Sequence, residues 1–132
     1  MAKNEALQAV EAVGEKIAEL RTEAKELNRK QAVATTLQNL KTKLRVVEKK
    51  VTQETLNEAR YAALQLSPML QDKDGKALRE AAREIVNALE PVKDALQETS
   101  PHAALLAKMT EQLKALASRC LDALERAELE SR

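Results

Sequence analysis

Two side-chain types that do chemistry in many proteins occur here once each, as His102 and Cys120. A di-metal site in a helical protein needs Glu-x-x-His pairs projecting inward from two helices. With a single histidine, and Thr99 rather than a glutamate three residues before it, that arrangement is excluded. Phosphotransfer through histidine is a poor match too, because Lys108 is distant and no glycine follows His102. A lone cysteine cannot close an intramolecular disulfide or build a Cys-based zinc site. Cys120 falls on an apolar helical seam, which points to a buried and inert thiol. No glycine-rich phosphate loop, nucleophile elbow or Ser/His/Asp set is present. The expectation is a chain that is not an enzyme and needs no cofactor or metal.

The remaining chemical candidate is a charge cluster. Lys41, Lys43, Arg45, Lys49 and Lys50 lie within ten residues that contain only Glu48 as a counter-charge, a local net of +4. On a helix Lys41, Arg45 and Lys49 share one face, away from Leu40, Leu44 and Val47. Such a face could meet anionic lipid at about 1 kcal/mol per basic residue. The competing reading is a solvated face offset by neighbouring acids, since residues 67–98 carry a net −2. No aromatic residue interleaves with the lysines, so base stacking is not on offer and nucleic acid is not an expected partner.

The elements that must carry these residues follow from composition. The chain has 132 residues, near the size of one domain, with 44% hydrophobic and 33% charged residues. It has one tyrosine, no phenylalanine or tryptophan, two glycines and three prolines. A core must therefore be aliphatic, and the turn chemistry of a multi-stranded sheet is missing. The net charge of +1 gives no general attraction to polyanions. Lys3 and Glu5 interrupt any apolar leader at the N-terminus, and no apolar run is long enough to span a membrane. The expectation is a cytoplasmic chain, or one peripheral to a membrane.

Hydrophobic spacing predicts an all-α fold. Val10, Val13, Ile17, Leu20, Ala24 and Leu27 recur at alternating steps of three and four. Gly14 within that seam suggests close approach by a neighbouring helix, and the apolar-free stretch Asn28–Gln31 is read as a turn. A second seam runs Val33, Leu37, Leu40, Leu44, Val47, Val51, then slips phase near Thr52 and continues to Leu66. One continuous helix over 33–66 is the first reading and a break near Thr52 the second, with Thr55 and Glu58 at capping-box spacing. Ser67-Pro68 and Gln71–Gly75 mark the clearest hinge.

A third helix over 76–97, bent at Pro91, and a fourth over 101–129, with Ser100 as N-cap and Pro101 at its first position, complete the pattern. Helices at about 4–28, 33–66, 76–97 and 101–129 fold most simply as a single up-down antiparallel four-helix bundle. If Asn28–Gln31 is helical instead, the first half of the chain becomes a long arm that could dimerise.

The third helix also carries a resemblance. Leu78-x-x-Ala81-Ala82-x-x-Ile85-Val86-x-x-Leu89-x-x-Val92 resembles the spacing of talin-type vinculin-binding helices over about 15 residues. The bundle as a whole is similar to talin, vinculin and focal-adhesion-targeting modules. The resemblance implies that Leu78, Ala81, Ala82, Ile85, Leu89 and Val92 form a partner-binding helix. Val86, Lys93 and Pro91 depart from the pattern.

Three functions remain open from sequence. The first is a protein-interaction or scaffolding bundle that docks or exchanges an amphipathic helix. The second is a membrane-targeting bundle using the basic face of the second helix. The third is a homo-oligomerisation module.

Overall fold

A computed structural model of the chain describes residues 2–131, with side chains from Asn4 onward. Helix accounts for 88% of it and no strand occurs among the described residues, so the fold is all-α. Five helices follow in order: α1 (Ala2–Lys49), α2 (Gln53–Met69), α3 (Lys76–Leu89), the short α4 (Ala95–Thr99) and α5 (Ala103–Glu130). Two compact units divide the chain, one up to residue 34 and one from residue 35 onward.

The expected turn at Asn28–Gln31 does not form, and α1 is helical throughout its 48 residues. Nothing in that stretch stops a helix. It lacks Gly, Pro and a capping geometry, and Arg29 ties back to Glu26 at 2.9 Å, one turn earlier. The close helix approach expected at Gly14 is absent as well, since a side chain built there would meet nothing within 4 Å.

The helix ends instead at Lys49, so the continuous 33–66 helix is replaced by its second reading, a break near Thr52. The cap is shifted from the expected Thr55/Glu58 pair by three residues. The Thr55 N–H donates to Thr52 Oγ1 at 3.0 Å, and the Thr52 N–H donates to Thr55 Oγ1 at 2.9 Å. That reciprocal pair satisfies donors which a helix start leaves unpaired, and extended Thr52 re-aims the chain.

The 67–75 hinge is a real turn, though α2 absorbs Ser67 and Pro68 in its last turn and the chain reverses over Leu70–Gly75. Gly75 has φ +104, and a side chain there would run into Ser131. Both conditions select glycine.

The third and fourth helices differ from expectation at their shared boundary. Helix α3 stops at Leu89 rather than bending at Pro91, and residues 91–94 are turns. Proline cannot donate the next helical hydrogen bond, and its ring crowds the carbonyl of the preceding turn. The Ser100 hydroxyl donates backward to the Gln97 carbonyl at 3.0 Å, closing α4, so it is not available as the forward cap of α5. His102 takes the N-cap position of α5, without a side-chain cap bond.

In the second unit the core is aliphatic. Leu40, Leu44, Leu66, Ala59, Ala63, Ala82 and Leu124 are completely buried, with Val47 and Ile85 nearly so. Helix α3 packs on α2 and α5, and α4 packs on α5. Polar links join the helices at their margins: Lys41 with Glu128, Lys43 with Glu58 at 3.4 Å, Arg60 with Glu90 at 2.9 Å, and the Ser118 hydroxyl with Glu48.

Candidate functional site

Each side chain singled out in the sequence has a definite place. His102 is exposed at the start of α5. Cys120 is buried on α5, and burial pushes its thiol up to about 11, so it stays protonated and unreactive near neutrality. No group of three or more His, Cys, Asp and Glu side chains that could hold a metal ion occurs among the described residues.

The basic face is smaller than the sequence implies. Lys41 is largely covered and paired with Glu128, and Lys43 is paired with Glu58. Arg45, Lys49 and Lys50 are exposed at the end of α1 and beyond. The stacking of Lys41, Arg45 and Lys49 is thus broken at its first member, because Lys41 lies close enough to α5 to be neutralised there. No helix among the described residues is long and apolar enough to cross a membrane.

The helix carrying the resemblance faces inward. Leu78, Ala81, Ala82, Ile85 and Leu89 are all buried in α3, while Val92 lies in the following turn and is half-buried. Their periodicity is spent on packing within the chain, so a partner could reach them only by opening the second unit.

Two shallow depressions lie between α3 and α5. One, of about 210 Å³, is lined by Glu80, Glu84 and Glu130 with Arg126 among alanines. The other, of about 290 Å³, has Ile85, Ala88, Leu116 and Cys120 at its floor and Glu84 and Arg119 at its rim. They exist because alanines at 77, 81, 88, 123 and 127 leave space between two helices. Both are open, and their charges are mixed in sign.

The most unusual surface is on the first unit. Leu7 is 59% exposed, Val10 68%, Val13 59%, Ile17 45%, Leu20 51% and Leu27 66%. All but Leu7 belong to the three-and-four-spaced seam, and Ala24 in the same seam is exposed too. Sequence reasoning found this seam but assigned it to the core. Its signal is the same 3.6-residue periodicity that marks the buried helices, and periodicity does not tell what a face packs against.

Comparison with known proteins gives no match, whether to family models, to curated proteins or to solved structures.

Proposed function

We propose that this chain is a non-catalytic helical interaction module whose docking element is the apolar seam of α1 over residues 10–27. The observation that carries this reading is the exposure of five large aliphatic side chains, Val10, Val13, Ile17, Leu20 and Leu27, along one helical stripe. Soluble proteins seldom leave a contiguous apolar surface bare unless something covers it. A helix without packing is also marginal in water, and most helical stability in proteins comes from burying an amphipathic face. Each of these side chains is about half covered or less, so docking would contribute roughly 1 kcal/mol or more apiece.

The second unit serves in this reading as a folded platform, an up-down antiparallel bundle made from the end of α1 with α2, α3 and α5. The polar links support that arrangement. Residues 41 and 48 of α1 meet 128 and 118 of α5, and residues 53 and 60 of α2 meet 93 and 90 at and beyond the end of α3. In both of these helix pairs rising numbers meet falling numbers, as opposed directions require. A scaffolding role needs no reactive group, which accords with the burial of the Cys120 thiol.

Affinity capture with the full chain and with an Ile17→Asp/Leu20→Asp variant tests the reading. A specific partner, which includes an untagged copy of the chain itself, is held by the wild type and lost by the variant. Circular dichroism of the variant shows the core transition of the second unit in place, because neither residue contributes to that core. An identical set of bound proteins for the two chains would overturn the reading.

A further inference from the structure

The occupant of the α1 seam can be read from the seam's own layout and charges, given that the seam is a docking face. The step of three from Val10 to Val13 sets the heptad phase: Val10, Ile17 and Ala24 take position a, and Val13, Leu20 and Leu27 take position d. Lys16 and Glu23 then flank the seam at g, and Gly14, Arg21 and Asn28 at e. All the aliphatic members of both positions are exposed. We infer that the seam binds the same seam of a second copy of this chain, running in the opposite direction.

Two observations favour that occupant and orientation. The first is charge. In a parallel pair each g residue faces the e residue five positions ahead on the other helix, which sets Lys16 against Arg21 twice and offers no attractive pair, since Glu23 faces Asn28. In an antiparallel pair g faces g, and Lys16 of each copy meets Glu23 of the other. The second is size. Antiparallel pairing layers Val10 on Leu27, Val13 on Ala24 and Ile17 on Leu20, so the one small residue meets a valine. A parallel pair would set Ala24 on Ala24 and leave a gap in the seam. The side chains of Lys16 and Glu23 are exposed, and Lys16 makes only a loose 3.8 Å contact with Glu19 of its own chain. Both ends of each intermolecular pair are therefore accessible.

The test uses the full chain. Light scattering across a concentration series gives a mass rising to twice the 14.6 kDa of one chain, and the Ile17→Asp variant stays at one. A single-chain mass for the wild type at every soluble concentration overturns the inference. It leaves the docking reading standing if capture of another protein still depends on Ile17 and Leu20, and removes that reading if it does not.

Orientation is read from disulfide trapping. Val10→Cys and Leu27→Cys chains cross-link when mixed and not separately, and buried Cys120 does not compete. A Val10→Cys chain that cross-links to itself overturns the antiparallel arrangement. Lys16→Glu gives a third readout whose sign depends on direction. It weakens an antiparallel dimer by roughly two- to fivefold, as exposed ion pairs do, and adding Glu23→Lys restores it. In a parallel dimer the same substitution relieves Lys16 from Arg21 and strengthens association, which again overturns the inference.

Discussion

The first and second units of this chain are written in the same code and put to different use. Residues 10–27 in the first unit and residues 37–47 in the second both place aliphatic side chains at steps of three and four, with Val33 between them at the end of the first unit, and all lie within the one helix α1. From Val33 on, the seam is buried: Leu40 and Leu44 are completely inaccessible and Val47 is 2% exposed. Before that point every large member of the seam is at least 45% exposed. An amphipathic pattern states that a helix must pack, and it is silent about whether the partner belongs to the same chain. The difference between the units lies in what else the chain supplies, since α2, α3 and α5 furnish apolar faces for one core and no other helix belongs to the first unit.

The widest separation between the units is expected from truncating one seam residue in each. Leu44→Ala removes a fully buried side chain from a close-packed core and costs about 2–5 kcal/mol, seen as a fall in the urea midpoint of the second unit. Ile17→Ala leaves that same midpoint in place, because Ile17 is not part of the core. If the two substitutions lowered it equally, the contrast between an open and a filled seam would be wrong.

The two glycines sharpen the comparison with effects of opposite sign. Gly75→Ala forces a side chain into φ +104 and against Ser131, and costs about 1–3 kcal/mol. Gly14→Ala meets open space in a helix interior and stabilises local helix by roughly 0.5–1 kcal/mol. Thermal unfolding reads the first, and the rise in helical signal with slower amide exchange around residue 14 reads the second. A loss at both positions would mean that Gly14 is closely approached, as its sequence context alone suggests.

How much of this was legible before the structure follows from the same contrasts. Helical class, an aliphatic core, the buried thiol and the turn at Gln71–Gly75 were all written in residue types, whereas Ser67-Pro68, read as part of the same hinge, lies within α2. Boundaries were read less well, for identifiable reasons. Asn28–Gln31 has no apolar residue, which looks like a loop, but polar residues with good helix propensity continue a helix unless something terminates it. Ser100-Pro101 has the composition of a helix start, yet the hydroxyl turned back to Gln97 and the helix began two residues later. The break at Thr52 was signalled by a phase slip, while the cap that sets it needed the Thr52–Thr55 pairing to be seen in space. The basic face was overcounted because Glu58 and Glu128, distant in sequence, neutralise Lys43 and Lys41. Among the site candidates, the α1 seam was found as a pattern and misplaced as core, a distinction that rests on the neighbours of a helix and not on its own residues.

The smallest expected effect concerns polar contacts that the second unit makes between helices and that the seam of α1 lacks within its own chain. Arg60 Nε donates to Glu90 Oε2 at 2.9 Å, and its guanidinium also lies 5.8 Å from the ring centre of Tyr61. The hydrogen bond from Arg60, the largest influence, holds the Glu90 carboxyl below its ordinary range. A carboxylate depressed in the folded state contributes stability that is fully present above its unfolded value and is lost as pH falls through the folded one. The gap in urea midpoint between wild type and Glu90→Gln is therefore largest at neutral pH and closes on acidification below the ordinary carboxylate range. The pair is exposed to solvent on the glutamate side, so added salt narrows the gap as well. A gap that stays constant from neutral to acidic pH would mean that Glu90 holds α3 to α2 through packing and not through its charge.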